Sequence, residues 1–212
     1  MAYFLLIRHG ETDWNREGRF QGSRDIPLNE VGLSQAREVA AFMRDKHLDA
    51  IWSSHLQRAR VTAEIIAEAH GLEVQIKEQL QEVNLGAWEG LTPDEVRADF
   101  PEIAAARREN AYNSPPPPGG EAYPEFQRRC IEALDEIAAL YDATSKVAVV
   151  SHGGAIKAVL GGLLGMPWRS RGLIYLVNCS ITRLNWLPRD KVFIDGFNEA
   201  GHLSEVFRPN FY

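Results

Sequence analysis

The sequence predicts an α/β fold: a three-layer sandwich with a mostly parallel central sheet, helices on both faces and a small inserted cap. Three observations carry this reading. Short apolar runs alternate with stretches of helical period along most of the 212 residues, the order that βαβ units produce. The first run, YFLLI at 3–7, is apolar without interruption, as a strand covered on both faces is. Residues 84–120 break the alternation with glycine and proline, which marks an insertion rather than another layer element.

Taken in order, Tyr3 to Ile7 is the first strand, and the polar, glycine-containing residues 10–29 are a loop. Asn29-Glu30-Val31-Gly32 opens a helix in which Ala36, Val39, Ala40 and Met43 recur at helical spacing. Asp49 to Ser53 is a second strand. Leu56, Ala59, Ala63 and Ile66 mark a second amphipathic helix ending near Gly71, and Glu73 to Ile76 is a brief third strand. In the insertion, Gly86, Gly90, Pro93, Pro101 and the run Pro115 to Gly120 leave only short helical pieces such as Pro93 to Asp99. The four prolines are expected to form a stiff polyproline segment leading back to the core. Phe126, Cys130, Leu134, Ile137 and Tyr141 make a long amphipathic helix. KVAVVS at 146–151 is the most strand-like run, and a helix rich in Ala, Val and Leu follows His152-Gly153-Gly154. GLIYLVN, SITRLNWL and KVFID, between 172 and 195, read as further strands. The expectation is one domain over 1–212, with the cap at about 84–120.

Composition narrows the function. A chain of 212 residues, 45% hydrophobic, can bury a sizeable core. The net charge of -6, without a basic run, argues against a nucleic-acid or anionic-membrane surface, though not against a local basic pocket. Cys130 and Cys179 form no metal-like cluster; they read as reduced core residues, with a disulfide as the alternative. MAYFLLIRHG has no basic n-region, and no apolar run reaches the length of a membrane span. A cytoplasmic protein is expected. A homodimer is left open by the apolar Leu173 to Val177 and by Phe207, Phe211 and Tyr212.

Three strands end in polar residues: Ile7 into Arg8-His9, Trp52 into Ser53-Ser54, and Val150 into Ser151-His152. In parallel sheets ligands bind beyond the carboxyl ends of the strands, so these residues can share a pocket. Two histidines without a third ligand make a poor metal site, and Arg8 and Arg58 would repel a cation. Guanidinium forks instead suit a tetrahedral oxyanion. A histidine beside two arginines should have a depressed pKa, and its neutral imidazole is a competent nucleophile for phosphorus. The pocket therefore reads as a phosphoryl-transfer site working through a phosphohistidine.

These residues resemble the histidine phosphatase superfamily, in its phosphoglycerate-mutase-like branch. The resemblance rests on Arg8-His9-Gly10, on Glu11-Thr12 with Trp14-Asn15, on Arg19 with Gln21-Gly22, on SSHLQRARVTAEII at 53–66, QEVNLGAWEG at 81–90, VVSHGG at 149–154 and FNEAGHL at 197–203. It implies that His9 is the nucleophile. Arg8, Arg58 and His152 would hold the phosphoryl oxygens, with Asn15, Gln21, Gly22 and Gly153 also binding phosphate. Glu82 would give a proton to the leaving oxygen and then activate water. The resemblance implies no metal and no cofactor.

Two features separate the activities within the resemblance. NLGAWEGLTPDEV and PPGGEAYPEF look like the phosphatases, whereas Arg107-Arg108 followed by Tyr112 and four prolines echoes the mutases with shifted spacing. That arginine pair is taken as solvated. The expected function is hydrolysis of small phosphomonoesters by a histidine acid-type phosphatase; phosphorylated amino acids, sugar phosphates, phosphoglycerate and the nucleotide-loop phosphate of cobalamin synthesis lie within the branch's range. A cofactor-dependent phosphoglycerate mutase is the alternative. A catalytically silent phosphate-binding or regulatory module is the second alternative.

Overall fold

The computed structural model describes residues 1–187 and 191–205, the side chains of Arg169 and Arg171 excepted. Its strands in chain order are β1 (Ala2–Arg8), β2 (Ala50–Ser53), β3 (Val74–Ile76), β4 (Lys146–Ser151), β5 (Ile181–Trp186) and β6 (Val192–Glu199). Its helices are α1 (Asp13–Arg16), α2 (Glu30–Met43), α3 (Gln57–Glu68), α4 (Pro93–Asp99), α5 (Pro101–Asn110), α6 (Tyr123–Ala138), α7 (Gly153–Leu163) and α8 (Trp168–Arg171).

β1 shows why the layers form. Phe4 and Leu6 join Phe126, Leu134 and Ile137 of α6 and Val159 of α7 in one core. Leu5 and Ile7 join Ala36, Val39 and Met43 of α2 and Ala59, Ala63 and Ile66 of α3 in the other. A strand with both faces covered has no polar side, hence its unbroken apolar run. The sheet order is β3-β2-β4-β1-β5-β6. β3, β2, β4 and β1 pair in parallel, whereas β5 and β6 add an antiparallel edge. Arg8 is level with Ser151, and Ser53 with Val150. The polar residues after β1, β2 and β4 therefore leave the sheet at one edge.

The structure corrects one sequence expectation about elements. GLIYLVN forms no strand. The free edge of β1 is taken by β5, and the backbone of 172–178 bonds to side chains instead. Asn198 Oδ1 accepts the Val177 N–H at 2.8 Å, Asn198 Nδ2 donates to the Tyr175 carbonyl at 3.0 Å, and Arg8 donates to the Leu176 carbonyl. The cap contains a second helix, α5, because Pro101 occupies a first helical position, where its missing N–H costs nothing. The proline run ends in a turn, with Gly120 N–H on the Pro117 carbonyl at 2.8 Å, and is tied to the cap base by Ala87 N–H on the Pro118 carbonyl at 2.9 Å. Cys130 and Cys179 are buried free thiols. Of the apolar stretch weighed as an interface, Leu173 is exposed while Leu176 and Val177 are buried; Phe207, Phe211 and Tyr212 lie outside the described residues. Among the described residues, no helix is long and apolar enough to cross a membrane.

The loop after β1 lies directly on the first turn of α2. A Cβ on Gly32 would stand 2.0 Å from the Glu11 carbonyl oxygen, and one on Gly10 would stand 2.5 Å from that of Gly32. Both obstacles are backbone and cannot swing aside. Gly32→Ala is expected to cost roughly 1–3 kcal/mol of stability, as overpacking does. The check is a fall in denaturant midpoint at unchanged slope; an unmoved midpoint would show that the contact relaxes freely.

Candidate active site

The carboxyl edge of the sheet forms the floor of a cavity of about 1240 Å³, and α4 and α5 of the cap form a facing wall. Arg8, His9, Asn15, Gln21, Gly22, Arg58, Glu82 and Gly153 all line it. Residues spread over 146 positions of sequence thus share one space because three parallel strands end together.

His9 is 3% exposed. Its Nδ1 lies 2.6 Å from the Gly10 carbonyl oxygen. A carbonyl only accepts, so Nδ1 carries the proton and Nε2 keeps its lone pair. The backbone is held as well: His9 N–H donates to Ser151 at 2.9 Å, and Asn178 Nδ2 donates to the His9 carbonyl at 2.9 Å. Burial, and then the charges of Arg58 and Arg8, hold the imidazole well below the ordinary histidine value of 6.5.

The sign of the resulting pH dependence follows directly. A nucleophilic imidazole works unprotonated, so a lowered pKa keeps it competent at more acid pH. Corrected for substrate ionisation, with its second phosphate pKa near about 6, kcat/KM is expected to hold from pH 6.5 into the acid range. A limb centred on the ordinary histidine value would refute this.

Arg58, on the first turn of α3, is 1% exposed. It donates to the Arg24 carbonyl at 2.6 Å, the Gly22 carbonyl at 2.8 Å and His152 Nδ1 at 3.2 Å. Burial draws its pKa down to about 10, while Glu82 and Asp25 act upward. Since His152 Nδ1 accepts from Arg58, its Nε2 carries the proton and donates to Ser54 Oγ at 2.9 Å. Burial, then Arg58, hold His152 well below 6.5. Its ring stands 5.2 Å from that of His9, centroid to centroid. Both ring nitrogens of His152 are thus engaged by protein, and contact with a phosphoryl oxygen requires one of them to change partner. Arg8 has a buried Nε with no partner among the described residues; burial lowers its pKa and Tyr175 partly offsets this.

Asn15 Oδ1 accepts from Thr12 N–H and Thr12 Oγ, each at 3.2 Å, and from Asn178 Nδ2 at 3.3 Å. With its oxygen occupied, the side chain has its NH₂ to offer a phosphate. Gln21 is 9% exposed, with Oε1 unpartnered among the described residues. Gly22 has φ +52, and its carbonyl anchors Arg58. The Glu82 carboxylate accepts from Val83 N–H at 2.9 Å and from Gly154 N–H, in the first turn of α7, at 2.8 Å. Each oxygen keeps a second lone pair for a proton or a water. A Cβ on Gly154 would fall 2.2 Å from Glu82 Oε1, so the absent side chain there makes room for the acid.

Ser54, marked in sequence as a polar strand end, holds His152. Other neighbours were not marked by sequence: Asn178 holds the His9 carbonyl, yet an asparagine before Cys179 carries no signal of its own. Lys157 lines the cavity from α7 and sits among apolar residues in sequence. Arg107 corrects the expectation that the arginine pair is solvated: it is 7% exposed and faces the cavity, whereas Arg108 is exposed. Both arginines border the cavity, Arg107 from a buried position and Arg108 from an exposed one. Arg60 is half-buried and paired with Glu64, and His202 bonds to the Cys179 carbonyl outside the cavity. Among the described residues, no three His, Cys, Asp or Glu side chains cluster as metal ligands.

The chain is similar to known proteins along most of its length. A family model described as histidine phosphatase superfamily (branch 1) matches residues 4–199. A Yersinia pestis protein described as probable phosphoglycerate mutase GpmB is 38% identical over 210 residues, covering 96% of this chain and 95% of its own. Among solved structures, the mycobacterial glucosyl-3-phosphoglycerate phosphatase has a TM-score of 0.83 at 31% identity, over 94% of this chain and 100% of its own. The phosphoserine phosphatase of Entamoeba histolytica has a TM-score of 0.83 at 32% identity, over 95% and 99%.

Proposed function

The chain belongs to the histidine phosphatase superfamily, and on that premise we propose that it hydrolyses phosphomonoesters through a phosphohistidine at His9, without a metal ion. The observation that carries the reading is a buried imidazole whose Nε2 is unprotonated, set between two guanidinium groups at the cavity floor.

His9 Nε2 attacks phosphorus; the P–N bond forms as the bond to the ester oxygen breaks. Arg8 and Arg58, with the Asn15 amide, offset the charge on the phosphoryl oxygens. Glu82, entering this step protonated, gives its proton to the departing oxygen. The Glu82 carboxylate then takes a proton from water. The water oxygen attacks phosphorus, the P–N bond breaks, and inorganic phosphate leaves with His9 restored.

The test is p-nitrophenyl phosphate hydrolysis in excess EDTA. Undiminished turnover is expected. Loss that Mg²⁺ or Zn²⁺ restores would overturn the metal-free mechanism. The mutase reading is favoured by the 38% identity to a probable phosphoglycerate mutase. Isomerisation of 3-phosphoglycerate faster than phosphate release would establish it in place of hydrolysis. Phosphate binding without either reaction would point to a silent module.

A further inference from the structure

At the root of the cap, the side chain of Glu89 is 6% exposed. Its Oε1 accepts from Ser23 N–H at 2.7 Å, Ser23 Oγ at 2.9 Å and Leu85 N–H at 3.2 Å, and its Oε2 meets Arg24 Nε at 3.2 Å. A Cβ on Gly22 would fall 2.2 Å from Glu89 Oε1, so the absent side chain there lets the carboxylate reach the 22–24 segment. Glu89 is not among the residues that line the cavity. It therefore touches neither the substrate nor the reacting atoms.

What Glu89 holds is the seat of Arg58. Ser23 lies between the two carbonyls that accept from the Arg58 guanidinium, Gly22 at 2.8 Å and Arg24 at 2.6 Å. Asp25 fixes the far end of this segment to α3, accepting from Gln57 N–H at 2.7 Å. The near end is fixed by Glu89. Hydrogen bonds to an ionised acceptor are roughly twice as strong as those between neutral groups, so a carboxylate with three donors holds Ser23 firmly. Two carbonyls can set the plane of a guanidinium only while they themselves stay in place. Arg58 Nε in turn donates to His152 Nδ1 at 3.2 Å, so a tilt of the guanidinium would reach His152 as well.

We propose that Glu89 is a positioning residue for phosphoryl transfer: through the 22–24 segment it fixes the Arg58 guanidinium against the phosphoryl oxygens. The proposal rests on the phosphatase reading and adds to it a residue outside the cavity. Glu89 also acts on Arg58 through its charge, more weakly than Glu82 and Asp25 do, so the hydrogen bonds to Ser23 carry the effect.

The experiment is a double-mutant cycle of Glu89→Gln and Arg58→Met. It is read by kcat and KM for p-nitrophenyl phosphate and by the calorimetric Kd of orthovanadate, which adopts the five-coordinate geometry of phosphorus in transfer. Glu89→Gln is expected to lower kcat roughly 10- to 100-fold, the scale of a misplaced catalytic group, with KM moved less than about 3-fold. Vanadate affinity should fall with kcat. In the Arg58→Met background the same change should weaken vanadate less than about 2-fold, because the group that Glu89 aims is gone. A full Glu89→Gln loss in that background, or a lower denaturant midpoint with kcat unchanged, would overturn the role. If Glu89→Gln does not fold, Ser23→Ala takes its place in the cycle, with an expected kcat loss of roughly 2- to 10-fold for the one hydrogen bond removed. If Arg58→Met does not fold, the single variant decides, and a loss confined to KM counts against positioning. Wild-type turnover reports separately on the phosphatase reading: its absence sinks that reading, while turnover with additive losses sinks only the role of Glu89.

Discussion

His9→Ala is expected to lower turnover by on the order of 10⁴- to 10⁶-fold, the scale seen when a covalent nucleophile is removed. The two buried groups near it that could otherwise attack phosphorus are occupied or protonated. His152 has both ring nitrogens engaged, one by Arg58 and one by Ser54. Burial pushes the Cys179 thiol far above its ordinary range, so it stays protonated. The fold should survive, because among the described residues the ring's only hydrogen bond is to the adjacent Gly10 carbonyl. The check is acid-labile phosphate on the protein after mixing with substrate, with circular dichroism to confirm folding. Acid-labile phosphate on the variant would move the nucleophile elsewhere.

Glu82→Gln should lower kcat by roughly 10²- to 10⁴-fold with alkyl phosphates, the usual contribution of a positioned proton donor. The loss should be much smaller for phosphorylation by p-nitrophenyl phosphate, whose leaving oxygen departs without a proton. Single-turnover measurement separates this step from hydrolysis of the phosphohistidine, which should slow for both esters because each needs the same base. The carboxylate is held by two backbone N–H groups, and glutamine keeps only one acceptor for them. An equal loss of phosphorylation rate on both esters would therefore mean that Glu82 acts by holding the site's shape rather than by proton transfer.

The legible parts of this molecule were those written in local pattern. YFLLI reads as a doubly buried strand because Phe4 and Leu6 face one core and Leu5 and Ile7 the other. Arg8, His9 and His152 announce a shared edge because each follows a parallel strand, and ligands bind beyond the carboxyl ends of such strands. GLIYLVN has the composition of a strand but not its place: β5 already occupies the edge of β1, and Asn198 supplies the hydrogen bonds that a neighbouring strand would have made. Arg107 reads as half of a solvated pair because sequence does not say which side of α5 meets the cavity.

By itself the sequence determined the layered class and most of the elements, since those depend on hydrophobic period; strand termini singled out Arg8, His9 and His152, whereas Asn15, Gln21, Gly22 and Glu82 were marked by the family resemblance. Only the tertiary structure decided which nitrogen of His9 keeps its lone pair, that His152 is tied to Ser54 and Arg58, and that Arg107 is buried beside Trp88. Those facts depend on hydrogen-bond partners and burial contributed by residues distant in the chain, and a one-dimensional pattern carries no record of which distant groups will meet.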